Sequence, residues 1–208
     1  VKPEIKRSRI YIRKYKIAIM KIGLYFGSFN PIHIGHLIIA NHAKHHTDLD
    51  QVWLVVSPQN PLKPSNSLLN EYHRLHLAKV ACEDNDALKV SDIEFTMPKP
   101  SYTIDTLAYL QEKYPNHEFA VIMGSDSIQN ITRWKNYELL LKNHSIYVFK
   151  RPGYEYEKFD NSHIVEINAP LLDISSTMIR NFIKAKKPIK YLVSAQVEQE
   201  ILNNSYYL

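Results

Sequence analysis

The sequence predicts an α/β protein with a doubly wound, mostly parallel, Rossmann-like sheet flanked by helices. Strand and helix signals alternate from Met20 onward, which is the pattern of βαβ units. The run from Val52 to Val56 is continuously apolar, as expected of a strand buried on both faces of a parallel sheet. The predicted strands cover residues 21–29, 51–57, 88–95, 119–123, 145–149 and 163–167.

The predicted helices are bounded by residues that cap or break helices. Asn70 is a suitable N-cap, Pro115 ends the preceding helical pattern, and Ser175 or Ser176 can cap another helix. The helices cover residues 35–46, about 71–83, 103–114, 134–141, about 176–184 and 195–203. Because no repeat, low-complexity tract or linker divides the chain, we expect residues 20–208 to form one domain.

The composition is that of an ordinary globular chain. Hydrophobic residues make up 45% and charged residues 23% of the 208 positions. No run of about 18 apolar residues is long enough to cross a bilayer. The composition therefore predicts neither general disorder nor a membrane partner.

The positive net charge of +5 is concentrated at the start of the chain. Residues 1–19 contain seven Lys and Arg side chains and one acid, which leaves a net charge of −1 for residues 20–208. We interpret residues 1–19 as a basic N-terminal extension, disordered or non-native, and we predict no nucleic-acid partner for the rest. A basic arm that binds nucleic acid or another surface is the open alternative.

The cysteine content indicates a reducing compartment. Cys82 is the only cysteine, so an intrachain disulfide and a cysteine-based zinc site are both excluded. It falls within an apolar helical pattern, where a thiol is usually inert. We predict a cytoplasmic protein without a catalytic cysteine.

The junction of the first strand and first helix carries the pattern of a phosphate site. Gly27 allows close approach of the backbone to a phosphate, and the helix start near Gly35 offers free N–H groups and a positive dipole end. His33 and His36 are three residues apart, so the helix places both imidazoles on one side. We expect the two rings to converge on one phosphorus.

A second segment, Ile174 to Arg180, has a related pattern. The hydroxyls of Ser175 and Ser176 and the free amides at a helix N-terminus can receive phosphate oxygens. Arg180 lies four residues after Ser176 on the same helix face and can add a bidentate contact. An ordinary capped helix would explain the serines equally well.

These two segments resemble the nucleotidyltransferase superfamily. Gly27-Ser28-Phe29-Asn30-Pro31-Ile32-His33-Ile34-Gly35-His36 is similar to its His-x-Gly-His signature, and Ile174-Ser175-Ser176-Thr177-Met178-Ile179-Arg180 to its Ile-Ser-Ser-Thr-x-Ile-Arg motif. The resemblance implies that the two histidines contact ATP phosphates. It implies further ATP contacts in both segments, at Gly27, Ser28, Phe29, Asn30, Gly35, Ile174, Ser175 and Ser176.

Three middle segments resemble the bacterial nicotinate mononucleotide adenylyltransferases. They are Ser101-Tyr102-Thr103-Ile104-Asp105-Thr106-Leu107, Gly124-Ser125-Asp126 with Trp134, and Lys150-Arg151-Pro152-Gly153-Tyr154. The resemblance implies a nicotinate pocket bordered by the first segment, nucleotide contacts from Gly124 and Asp126, and stacking of Trp134 on the pyridine ring. The implied substrate-binding residues are Tyr102, Thr103, Thr106, Trp134 and Arg151.

Several residues keep an alternative interpretation. Trp134 could anchor an amphipathic helix in the core, Tyr102 and Thr103 could only cap a helix, and Arg74 could be a solvated helix charge. Lys63 is available for phosphate, but Asn60-Pro61-Leu62 lacks the histidine that immediately precedes the lysine in many relatives.

The resemblance implies transfer of AMP from ATP to nicotinate mononucleotide, with release of pyrophosphate. The implied catalytic residues are His33, His36, Lys63 and Arg180. Mg²⁺ is expected to arrive bound to ATP, held by phosphate and water with few protein ligands. A pantetheine-phosphate adenylyltransferase and a nucleotide-binding module without turnover are the alternatives, and the oligomeric state is left open.

Overall fold

A six-stranded parallel sheet organises the chain. The computed structural model describes residues 19–59, 68–157, 159–160, 162–170 and 172–208. The strand order is β3-β2-β1-β4-β5-β6, and every neighbouring pair is parallel. The strands are β1 (Lys21–Gly27), β2 (Gln51–Val56), β3 (Leu88–Ser91), β4 (Glu118–Gly124), β5 (Ile146–Phe149) and β6 (Ile164–Ile167).

Helices connect the strands and cover both faces of the sheet. They are α1 (Ile34–His46), α2 (Glu71–Cys82), α3 (Thr103–Lys113), the single turn α4 (Ser125–Ile128), α5 (Tyr137–Asn143), α6 (Ser176–Lys184) and α7 (Ala195–Asn203). Asn70 and Ser175 cap α2 and α6, as predicted, by accepting backbone N–H groups from Tyr72 and Met178.

Alternate residues of the central strands β1, β2, β4 and β5 pack into two separate cores. Tyr25 and Leu54 point into a core that includes buried residues of α1, α2, α6 and α7. Leu24 and Val55 point into the opposite core, which includes Leu107 of α3. The predicted burial of strands on both faces is therefore confirmed.

The strand order places the ends of β1 and β4 side by side. The chain leaves β1 toward β2 on one side and reaches β4 on the other, which makes this position the topological switch point of the sheet. Ligands of doubly wound sheets bind in the crevice outside the carboxyl ends at such a point. The loops after Gly27 and Gly124 therefore share one crevice.

Two predicted elements differ from the structure. β3 ends at Ser91, and residues 93–96 form a 3₁₀ turn instead of the predicted continuation of the strand. The helix predicted from residue 134 begins at Tyr137, because residues 131–133 form a 3₁₀ turn and Asn136 adopts a left-handed conformation with φ of 52°. Trp134 thus lies in an extended linker.

Cys82 is buried in the core, and burial raises the pKa of its thiol to about 12. A protonated, inaccessible thiol agrees with its prediction as an inert side chain. Among the described residues, no helix is long and apolar enough to cross a membrane. The predicted basic extension covers residues 1–19. Of these, only Ile19 is among the described residues.

Candidate active site

The loop after β1 brings both predicted histidines to the start of α1. His33 is the N-cap of α1, and His36 is in its first turn. Their rings stack with centroids 3.6 Å apart. A Cβ on Gly35 would lie 3.1 Å from Nδ1 of His33, so the glycine leaves room for this ring. The prediction that the two imidazoles lie on one side of the helix is therefore confirmed.

The hydrogen bond between the histidines fixes the tautomer of one ring. The backbone N–H of His33 donates to Nδ1 of His36 over 3.2 Å. Because Nδ1 is an acceptor, the proton of a neutral His36 ring resides on Nε2. His36 is therefore prepared to donate a hydrogen bond from Nε2 to an anion.

His33 has an environment that favours a neutral ring. It is 7% exposed, and its Nδ1 has no hydrogen-bond partner within the part of the chain that the structure describes. Burial lowers its pKa from 6.5 to about 4, and the positive charge of Arg151 adds to this effect. At neutral pH, the His33 ring therefore carries one N–H donor and no positive charge.

This pKa predicts an acid sensitivity that His33→Gln should reduce. Between pH 6.5 and pH 4 the unfolded state binds the proton and the folded state does not, so stability falls as the pH falls. The loss in the free energy of unfolding that His33 causes reaches about 3 kcal/mol below pH 4 and vanishes above pH 6.5. Urea unfolding at pH 7.5 and pH 4.5 should show a smaller pH-dependent loss in the variant.

His45→Gln is the matched control, because His45 is an exposed histidine of the same helix. Its loss of stability between the two pH values should equal that of the wild-type protein. An unchanged loss in His33→Gln would contradict a buried neutral His33.

The N-terminus of α6 docks onto the histidine loop. Nη1 of Arg180 donates to the carbonyl of Asn30 over 2.8 Å, and Oγ of Ser176 donates to the carbonyl of Pro31 over 2.9 Å. These bonds join segments about 150 residues apart in sequence. The guanidinium and the two imidazoles therefore belong to one end of the sheet, as the sequence predicts.

The serine hydroxyls are already engaged in structural contacts. Oγ of Ser175 accepts the N–H of Met178, while Ser176 uses its proton on Pro31. Ser175 is thus the cap of α6 and Ser176 its docking residue, and their direct contacts with ATP stay a prediction. Ile174 is half-buried and packs against the core, so only its backbone is suited to an anion.

Three other predicted ATP-binding residues also make structural contacts within this loop. The ring of Phe29 is 2% exposed and meets the ring of His36 edge to face, with centroids 5.1 Å apart. Asn30 is 3% exposed, and its Oδ1 accepts the N–H of Leu69 over 3.1 Å. A Cβ on Gly27 would lie 2.8 Å from the Phe29 ring. Gly27, Phe29 and Asn30 therefore shape the loop more than they present side chains to a nucleotide.

The loop after β4 contributes an ion pair to the same crevice. Nη1 of Arg151 lies 3.3 Å from Oδ2 of Asp126, and the backbone N–H of Arg151 donates to Oγ of Ser125 over 2.8 Å. A Cβ on Gly124 would clash with the Asp126 carboxylate and lie 3.1 Å from Nε of Arg151. The pair lies close enough for Arg151 to act on the pKa of His33. Gly124, Asp126 and Arg151 are thus brought together with the histidines.

Arg74 links the strand ends and was not identified as a site residue from the sequence. Its side chain is fully buried, which corrects the alternative of a solvated helix charge. The guanidinium donates to four backbone carbonyls, those of Ser28, Ser57, Pro58 and Leu69. It therefore ties the histidine loop to both flanks of residues 60–67. Lys63 lies in that segment, outside the described residues.

The predicted nicotinate segment is built around a buried carboxylate. Glu94 is 2% exposed and accepts the hydroxyls of Ser101 over 2.8 Å and Thr106 over 2.9 Å. Thr106 is fully buried and supports the segment through Glu94, and its direct contact with substrate stays a prediction. No sequence motif indicated this role for Glu94.

Tyr102 and Trp134 remain accessible near the start of α3 and before α5. Tyr102 is the N-cap of α3 and is 36% exposed, and Thr103 begins the helix. Trp134 is half-buried and packs against the core formed by α3 and α5. The alternative that Trp134 packs in the core is thus observed for part of its surface. The residue is not helical, however.

Taken together, the crevice offers imidazole, guanidinium and helix N-terminal donors to a polyanion. Within the described residues, no group of three or more His, Cys, Asp or Glu side chains is placed to hold a metal ion. The Asp126 carboxylate is paired with Arg151. A metal ion at this site would therefore be coordinated mainly by the polyanion and water.

Comparison with known proteins places this arrangement in a family. Residues 24–182 match the model of the cytidylyltransferase-like family. A protein of Flavobacterium psychrophilum, named "Probable nicotinate-nucleotide adenylyltransferase", is 53% identical over 193 residues, covering 90% of this chain and 99% of its own length. A Bacillus licheniformis protein of the same name is 34% identical, with 90% and 98% covered. The chain belongs to the nicotinate-nucleotide adenylyltransferase family.

The fold of this adenylyltransferase also matches solved structures. The Plasmodium falciparum nicotinic acid mononucleotide adenylyltransferase complexed with NaAD superimposes with a TM-score of 0.76 at 22% identity, covering 90% of this chain and 97% of the other. The predicted fold class and family are therefore confirmed. Nucleotidyltransferases of this kind generally use a divalent metal ion together with ATP.

Proposed function

We propose that this adenylyltransferase transfers AMP from ATP to the 5′-phosphate of nicotinate mononucleotide, giving nicotinate adenine dinucleotide and pyrophosphate. The observation that carries the proposal is the docking of Arg180 and Ser176 onto the loop that presents His33 and His36. The names of relatives up to 53% identical support the choice of acceptor. We further propose that residues 20–208 act as one domain in the cytoplasm.

In this mechanism an oxygen of the mononucleotide phosphate attacks the α-phosphorus of ATP as the bond to the bridging oxygen of pyrophosphate breaks. A phosphate with its second pKa near 6 is largely dianionic at neutral pH, so the attacking oxygen needs no base. Catalysis then consists of positioning and of stabilising charge on the transferred group and leaving pyrophosphate.

The side chains divide this work between the two ends of the crevice. Nε2 of His36 donates to an α-phosphate oxygen, and neutral His33 donates beside it. Arg180 and Lys63 offset charge that develops on the leaving pyrophosphate. The free amides at the start of α6 receive the phosphate tail. Mg²⁺ enters as part of the MgATP substrate and is held by phosphate oxygens and water.

Asp126, Tyr102, Thr103, Trp134 and Arg151 bind the two nucleoside ends in this proposal. Asp126 accepts ribose hydroxyls, as carboxylates at the carboxyl edge of such sheets do. Tyr102 and Trp134 are the accessible aromatic residues for the pyridine ring. Thr103 borders the ring, and Arg151 keeps Asp126 in place.

A pyrophosphate-release assay tests the proposed reaction directly. With ATP and Mg²⁺, we expect release to depend on nicotinate mononucleotide and to be slower with nicotinamide mononucleotide. Phosphopantetheine should support none above background. Faster release with phosphopantetheine, or ATP binding without release for any acceptor, would overturn the proposal.

A further inference from the structure

A lysine beside the proposed pyridine site forms a small charged cluster with its neighbours. Nζ of Lys135 lies 5.0 Å from the centroid of the Tyr102 ring. The same Nζ lies 2.7 Å and 3.0 Å from the two carboxylate oxygens of Asp105. Lys135 also follows Trp134, the other aromatic residue of the proposed pocket, directly in the chain.

The ion pair holds the ammonium over the aromatic ring. Asp105 is in the first turn of α3, and Tyr102 is the N-cap of that helix. Both carboxylate oxygens of Asp105 face Nζ, which restricts the long lysine side chain to the side of α3 that carries Tyr102. The side chains are 44% and 42% exposed, so the charges are partly solvated and accessible to a ligand.

The two candidate acceptors, nicotinate and nicotinamide mononucleotide, differ in the charge of the substituent on the pyridine ring. Nicotinate carries a carboxylate on the pyridine ring, and nicotinamide carries a neutral carboxamide at the same carbon. Because Nζ of Lys135 is 5.0 Å from the Tyr102 ring and bonded to Asp105, a pyridine ring bound beside Tyr102 would have both charges in its surroundings. The ammonium attracts the carboxylate, whereas Asp105 repels it.

We propose that Lys135 is a specificity-determining residue that favours the acid over the amide, and that Asp105 positions and moderates its charge. This inference rests on the proposed function, since it requires the pyridine ring to bind beside Tyr102. According to this inference, the charge of a side chain at this edge of the site makes the enzyme prefer nicotinate over nicotinamide mononucleotide.

The test compares kcat/KM for nicotinate and nicotinamide mononucleotides at saturating MgATP. In Lys135→Gln we expect kcat/KM for the acid to fall by about fivefold to tenfold, as for a partly solvated charge, with little change for the amide. Asp105→Asn should increase the preference for the acid by about twofold to threefold, because the repulsive charge is lost while Lys135 remains. Both shifts should shrink from 50 to 500 mM salt.

Lys142→Gln is the matched control, since Lys142 is an exposed lysine of α5 and belongs to no part of the proposed site. It should leave both values unchanged. An equal loss for both acceptors in Lys135→Gln would show a structural role and overturn the inference. An unchanged ratio, or a wild-type protein without acid preference, would also overturn it. Failure of the wild-type protein with both mononucleotides would instead refute the proposed function.

Discussion

Replacing His36 by alanine should lower kcat by about 100-fold or more, as expected when one positioned donor to a developing charge is removed. The fixed tautomer supports this proposed role, because Nδ1 accepts the His33 amide and the proton of the neutral ring is therefore on Nε2. The measurement is steady-state pyrophosphate release at saturating ATP and nicotinate mononucleotide.

His45→Ala serves as the control for this experiment, because it removes an exposed imidazole from the same helix. It should retain wild-type kcat. Circular dichroism and urea unfolding should show both variants folded. Near-normal turnover in folded His36→Ala would refute the assigned role.

Replacing Arg74 by methionine should have the largest effect on stability, with a loss of about 3 to 5 kcal/mol in the free energy of unfolding. The methionine fills part of the volume but leaves four carbonyls, one in a buried and three in half-buried hydrogen bonds, without their donor. Urea unfolding measures the loss, which is a large share of the roughly 5 to 15 kcal/mol of a typical domain.

Two variants make the Arg74 experiment specific. Lys79→Met removes an exposed cation from α2 and should change stability by less than about 0.5 kcal/mol. Arg74→Lys keeps a charge but not the planar fork of donors, so it should fall between wild type and Arg74→Met. A loss below about 1 kcal/mol in Arg74→Met would contradict the proposed link between the strand ends.

Much of the fold follows from local signals in the sequence. Apolar strand runs and capping residues such as Asn70 and Ser175 gave each of the six strands and the main helices at nearly their observed positions. The misses occur where backbone geometry departs from regular structure. Because Asn136 is left-handed, α5 begins at Tyr137 and not at the predicted residue 134. Because residues 93–96 form a 3₁₀ turn, β3 ends at Ser91 and not at the predicted residue 95.

The site was predicted in its outline and not in its internal contacts. The spacing of His33 and His36 was enough to place both rings on one side of α1, because that follows from helix geometry. The role of Arg74 could not be read in this way, since its partners are backbone carbonyls that any residue supplies. Likewise, the sequence does not show that the Thr106 hydroxyl donates to a buried Glu94 carboxylate.

The hydrogen bond between Arg180 and the carbonyl of Asn30 has a consequence for a chain that is made from its N-terminus. The loop with His33 and His36 leaves the ribosome long before Arg180, which donates a hydrogen bond to it. A nascent chain therefore contains both imidazoles before it contains this guanidinium. Nucleotide affinity should therefore arise only late in synthesis, after the helix at residues 176–184 has emerged and docked. A chain that ended just before Arg180 would contain all six strands and still lack the guanidinium of the proposed anion site.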